Sequence, residues 1–290
     1  MIPTTMWQQV LLAGSAAAFM FAPTAQTHRR RGMMAASMES SSLSSSLSLK
    51  ESLLASIEAF KEVTARDGMI PVDFGVRGGE LESKDRTPRN LLTSGAFANV
   101  STAVGEAAAK VAKAVDVLAF EASLAKDATK FLGTQEGGAC PLDGGWRNLW
   151  TTAADATFSA NSKRGDALVG NFVDGKTGRV TNVITFLDKD RKVDQLRVTI
   201  QAKALSKTRV QLTFKKATFV LRKRLLGVFK KIVLPVPAVT FTRIIFAFRP
   251  NKKPPPPPYF DVLYLDHDLR IQKTGDGNLF VQRRLGNALL

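Results

Sequence analysis

Near the end of the chain two carboxylates flank an imidazole, Asp266-His267-Asp268, with Arg270 two residues further on. Such a group can ligate a divalent cation or trade protons. Read as a β-strand, however, Tyr264 to Ile271 alternates. Asp266, Asp268 and Arg270 then share one face, and His267 points to the other. Alternation splits the cluster. The competing reading is structural: Leu265, Leu269 and Ile271 are interleaved with these charges, so Arg270 is expected to neutralise Asp266 or Asp268 inside or beside a core.

Elsewhere the residue types that do chemistry are sparse. The other histidine is His28, close to the N-terminus. Cys140 is the single cysteine, so no intrachain disulfide forms, and no histidine lies near it in sequence to activate the thiol. There is no glycine-rich phosphate loop, no His-Glu metal pattern and no cysteine-based zinc site. The sequence therefore assigns no catalytic residue, no metal and no cofactor, and the expectation is a protein that is not an enzyme.

Charge is more informative. Residues 1–136 hold 14 Lys+Arg against 14 Asp+Glu, whereas residues 137–290 hold 27 Lys+Arg against 11 Asp and no Glu. The whole net charge of +16 thus falls in the second part. Lys215 and Lys216, the run Arg222, Lys223 and Arg224, and Lys230 and Lys231 punctuate Phe214, Phe219, Leu225, Leu226 and Phe229. Basic clusters beside apolar residues suit an anionic membrane surface, at about 1 kcal/mol per cation near it. The same charge could serve nucleic acid, or be a solvated face. The membrane surface is preferred, because the N-terminus reads as an address to a membrane-rich organelle.

That N-terminus begins with Val10 to Phe21, an apolar run too short to span a bilayer but suited to a signal-peptide core. Arg29-Arg30-Arg31 and a serine-rich tract, Ser37 to Ser48, follow, with Glu39 the one acid. This is transit-peptide composition. The combination resembles the bipartite leaders of algae with secondary plastids, and residues 1–45 are set aside as such a leader. Residues 46–136 read as helical. Ser48 and Glu51 form a capping box ahead of a Leu49, Leu53, Ile57, Phe60, Val63 stripe. A loop spans 68–95, and a second, alanine-rich helix runs from about Ser101 to Leu132, stopped by Gly133. Docking on a barrel is the favoured use of that helix.

Residues 137–290 read as strands. Alternating or β-branched runs at 165–173, 180–187, 193–204 and 209–221 are separated by turn signals such as Asp174-Gly175 and Ser206-Lys207. Ile232 to Phe248 is apolar but contains Pro235 and Pro237, which favour an edge or bulge. Pro254 to Pro258 form a stiff polyproline spacer. Tyr264 to Ile271 and Asn278 to Arg283 flank a Gly-Asp-Gly turn and read as a closing hairpin. Short strands at regular spacing predict an antiparallel barrel or sandwich.

These segments resemble the plastid lipid-associated protein, or fibrillin, family. Pro141 to Trp146 with Leu149 to Thr152 is similar to its opening motif. Gly178 to Val183 is similar to its Asn-containing strand. Tyr264 to Ile271 followed by Gly277 to Val281 is similar to its most specific signature, in which Tyr264, Asp266, Asp268, Arg270 and Gly277 are the structural positions. The resemblance covers about residues 140 to 285. The chain departs from it in the five prolines, the strong positive charge, and Gln272-Lys273 in place of a second arginine.

The resemblance implies a mainly β, lipocalin-like antiparallel barrel in a plastid, at thylakoids or plastoglobules. It implies binding or organising of apolar lipids of the prenylquinone and carotenoid class, or scaffolding of an isoprenoid-synthesising plastid enzyme. Nucleic acid is the least favoured partner. In such a barrel the candidate ligand-lining residues are Trp146, Trp150, Phe172, Phe186, Phe214, Phe219, Phe241, Phe246 and Phe280, with a completely filled core the competing reading.

Overall fold

The structure is a computed structural model, and it describes residues 35–72, 87–122, 127–225, 227–235 and 257–286. Nine antiparallel strands follow two helices: β1 (Gly144–Thr151), β2 (Ala167–Asp174), β3 (Arg179–Phe186), β4 (Val193–Ala204), β5 (Arg209–Leu225), β6 (Phe229–Pro235), β7 (Tyr259–Leu265), β8 (Leu269–Thr274) and β9 (Leu279–Gly286). The expected barrel forms. β4, β3, β2, β1, β9, β8, β7 and β5 are neighbours in that order, and a β4–β5 pairing closes the ring. β6 lies outside the ring as a flap on the far half of β5. Residues 236–256, which carry Phe241, Phe246 and the first three of the five prolines, lie outside the described residues.

Turn chemistry sets the register. Asp174 accepts from the Thr177 amide (3.2 Å) and hydroxyl (2.6 Å), pinning the β2–β3 hairpin. Gly277, at φ +79°, takes the left-handed conformation that the β8–β9 turn requires, and its amide donates to the Thr274 carbonyl at 2.9 Å.

The helices are α1 (Ala35–Asp67) and α2 (Thr102–Ala122). α1 runs unbroken through Ser48 and Glu51, so no helix starts at the expected capping box, and part of the serine-rich tract is helical. α2 is capped by Ser101, whose hydroxyl accepts from the Val104 amide at 3.1 Å and donates to Asp67 at 2.6 Å. Leu53, Ile57 and Phe60 of α1 meet Val104, Val111, Val115 and Leu118 of α2. This helical layer covers the outer face of β7, β8, β9 and β1, burying Tyr264, Leu269, Ile271, Leu279, Val281 and Trp150.

Two expectations for Tyr264 to Ile271 are corrected here. The run is not one strand: β7 ends at Leu265, Asp266 to Asp268 form a turn, and β8 begins at Leu269. The Asp266 side chain makes that turn by accepting from the Asp268 (2.9 Å) and Leu269 (2.7 Å) amides. Strand alternation thus stops applying at these residues, and Arg270 does not share a face with the aspartates. Both carboxylates instead bind Lys50 of α1.

Candidate functional site

The barrel encloses a cavity of about 240 Å³. Its two sides differ in chemistry because the strands alternate. On β8 and β9 the apolar residues Leu269, Ile271, Leu279 and Val281 face the helical layer. Their neighbours Arg270, Gln272, Phe280 and Gln282 therefore face inward. Asn148 of β1 and Asn171 of β2 extend this polar wall, and Asn182 of β3 sits between Val180 and Ile184 on the same strand face. Opposite it stand Val180, Ile184, Leu196, Val198, Ile200, Leu212 and Phe214.

Arg270 dominates the polar wall. It is 1 % exposed. Its Nε donates to Gln282 Oε1 at 2.9 Å and its Nη2 to Asn171 Oδ1 at 2.8 Å. Its guanidinium carbon lies 4.7 Å from the centre of the Trp146 ring, and that of Arg284 lies 4.1 Å from it. All of these partners are neutral or cationic. Burial pushes the Arg270 guanidinium down to about 9, and the charge of Arg284 adds to the shift. Gln272 Oε1 and Asn148 Oδ1, also on this wall, are buried with no hydrogen-bond partner.

At the other end the cavity is bordered by a 3₁₀ turn, Ala154–Ala156, and by Thr274 to Asp276. Asp155 there is exposed along one side yet ringed by protein, which pushes its carboxyl upward against the opposing charge of Arg164. Asp276 pairs with Arg89 at 2.8 Å.

Of the residues expected to line a ligand site, Phe214 and Phe280 border the cavity. Trp146 lies beyond its deep end, where the indole N–H donates to the Leu142 carbonyl at 2.9 Å. Trp150 points out of the barrel against Phe60, with ring centres 6.4 Å apart. Phe172 faces away from the cavity, since its neighbours Asn171 and Val173 face in. Phe186 and Phe219 pack in a separate cluster with Leu196 and Ala217. Among the described candidates, then, Phe214 and Phe280 border the cavity, and Trp150 and Phe172 face away from it. The signal that marks Gln272, Gln282, Asn148 and Asn171 is the polar half of each alternation, which a list of aromatic candidates passes over.

The basic residues collect on the β5–β6 hairpin. Lys215, Lys216, Lys223, Arg224, Lys230 and Lys231 are exposed. Arg222 is partly held back, donating to the Phe186 carbonyl at 2.6 Å and pairing with Asp194 at 3.2 Å. Val228 and Phe229 at the tip are 66 % and 57 % exposed, an apolar point set among cations.

Asp266, His267 and Asp268 bring their ligand atoms within 4.8 Å of one another, so the turn reunites a cluster that strand alternation would have split. The Lys50 ammonium occupies the carboxylates, at 2.8 Å from Asp266 and in contact with Asp268. Cys140 is buried, and burial pushes its thiol upward, away from thiolate chemistry. No helix among the described residues is long and apolar enough to cross a membrane.

Residues 123–283, more than half of the chain, match the family model described as PAP_fibrillin. No curated protein and no solved structure matches the chain.

Proposed function

We propose that this chain, which belongs to the PAP/fibrillin family, carries one lipid in its barrel while its basic hairpin rests on an anionic membrane surface. In the general sense of that family it is a plastid lipid-associated protein. The observation behind the specific reading is the two-sided cavity, with an apolar wall for a chain and a polar wall for a head. A prenylquinone would lay its chain along Ile184, Leu196, Val198 and Phe214 and offer carbonyl oxygens to the polar wall. A carotenoid hydrocarbon would offer no acceptor to the Arg270 guanidinium on that wall, and a buried donor left unpaired costs about 1–3 kcal/mol. The quinone therefore fits better within the apolar class. The role is non-catalytic, at thylakoids or plastoglobules.

Exposed Val228 and Phe229 between Arg222 to Arg224 and Lys230-Lys231 supply insertion and charge together. Extraction of lipids from the purified native protein, followed by mass spectrometry, tests the cavity reading. A stoichiometric lipid is expected, and its absence would overturn it. Co-sedimentation with vesicles with and without anionic lipid, beside a salt-dependent RNA gel shift, tests the surface. RNA binding without vesicle binding would reverse that assignment.

A second reading, an adaptor for a plastid isoprenoid-synthesising enzyme, draws on Phe120 of α2. It is 83 % exposed on a helix whose other large apolar residues are mostly covered, with Val117 partly exposed beside it. A stoichiometric enzyme in a pull-down that Phe120→Ala abolishes would favour it.

A further inference from the structure

A buried guanidinium is normally paired with a carboxylate, because an isolated charge in a low-dielectric interior is costly. Arg270 departs from that rule. Its hydrogen-bond acceptors are two side-chain amides, its ring contact is Trp146, and the charge nearest it is the like charge of Arg284. The two carboxylates closest in sequence are engaged by Lys50 on the outer side of the barrel. The hydrogen bonds of Arg270 run from Nε and Nη2, and the residue borders the cavity. The cavity thus ends in a charge for which no described residue provides a carboxylate partner.

From this juxtaposition we infer that the lipid held in the barrel is a single-chain carboxylate, with its head on Arg270 and its chain against the apolar wall. The inference rests on the reading of the cavity as a lipid site and replaces the quinone head of that reading with a carboxylate. A quinone carbonyl can accept a hydrogen bond from Arg270 but brings no charge. A carboxylate does both, with a geometry that matches the guanidinium fork. One guanidinium also suits a monoanion better than a phosphate monoester, which carries close to two charges at neutral pH. The amides of Gln282 and Asn171 hold the Arg270 plane fixed and so orient it before the ligand arrives.

The dimensions agree. From Arg270 to Thr274, at the other end of the cavity, β8 advances four residues, about 13 Å at roughly 3.3 Å per residue. A cavity of about 240 Å³ sits below the range of roughly 300–1,000 Å³ usual for drug-sized ligands. It suits one slender chain rather than a polycyclic or two-chain lipid.

The test compares chain-matched probes on the full chain by calorimetry: dodecanoate, methyl dodecanoate, dodecyl phosphate and a short-chain plastoquinone. Dodecanoate is expected to bind at least tenfold more tightly than its methyl ester. Arg270→Gln should remove that preference while retaining ester binding. Because this variant could fold poorly, the comparison on the unaltered protein stands alone, and a far-ultraviolet spectrum and melting temperature accompany the variant. Equal binding of acid, ester and quinone would overturn the head-group inference and leave the lipid site standing. Tighter binding of dodecyl phosphate would replace the carboxylate with a phosphate. Binding of none of the four would remove the lipid reading itself.

Discussion

The ammonium of Lys50, on the first helix, lies 2.8 Å from the carboxylate of Asp266, in the turn between β7 and β8, across 216 residues of chain. The same carboxylate accepts from the Tyr264 hydroxyl at 2.7 Å, and Asp268 adds a second anion to the ammonium. Lys50 is buried, and the clasp fixes the helical layer to the barrel. Lys50→Met should cost about 3 kcal/mol, the low end for breaking a buried pair, because Asp268 stays partly in water. Urea denaturation measures this. Adding Asp266→Asn should cost less than the sum of the two single changes, since Lys50→Met already leaves that carboxylate unpaired.

The clasp also predicts a pH response. Burial acts to raise the Asp266 carboxyl, but hydrogen bonds from Lys50, Tyr264 and the Asp268 amide outweigh it and hold it well below the usual carboxylate range. A group with a depressed folded-state pKa stabilises the fold above its unfolded value, about 3.9, and loses that contribution as pH falls through the folded value. Unfolding free energy should therefore drop between about pH 4 and pH 2 in the unaltered protein. The drop should be smaller in Asp266→Asn. Parallel curves for the two would remove Asp266 as the source.

The helical core and the cavity lie on opposite faces of the same strands, so they should respond separately. Leu118→Ala, in the fully buried seam between helices, should destabilise by about 2–5 kcal/mol. Dodecanoate affinity of the fraction that stays folded should be unchanged. Leu196→Trp, on the apolar wall, should do the reverse, blocking the ligand with a smaller shift in melting temperature. Thermal melts paired with calorimetry separate the two effects.

Vesicle affinity should follow the hairpin tip. Phe229→Asp removes an exposed apolar anchor and should weaken binding to anionic vesicles. Replacing Lys230 and Lys231 with Gln should weaken it about fivefold per residue, from about 1 kcal/mol for each cation. The loss from the lysine changes should shrink as salt rises, and that from Phe229→Asp should not.

The strands were largely legible because each run alternates and ends in a turn signal. β4 and its expected span, 193–204, coincide. The ring and the helical covering followed from the same patterns. What was not legible was which half of each alternation faces inward. In Leu269-Arg270-Ile271-Gln272 the apolar half would ordinarily be assigned to the barrel interior. The helical layer offers a second core outside, and it takes Leu269 and Ile271 instead. Lys50 was hidden for a related reason: nothing in its local sequence refers to a turn more than two hundred residues away. The reading of Asp266 to Asp268 as strand failed because an aspartate that caps its own turn carries the same letter as one that alternates.

β5 changes neighbour part-way along. Its first residues, Arg209, Val210 and Gln211, pair with Asp261, Phe260 and Tyr259 of β7, and its later residues pair with β6 outside the ring. The join is braced by a two-pronged Arg209–Asp261 bond, at 2.7 and 2.8 Å, and by Arg209 stacked on Tyr259. The barrel is therefore sealed by a latch rather than a wall, and a latch that short opens before the long β4–β5 ladder does. Amide exchange should be faster at the β5–β7 join than in the middle of β4. A chain longer than the resting cavity would have its route in through that gap.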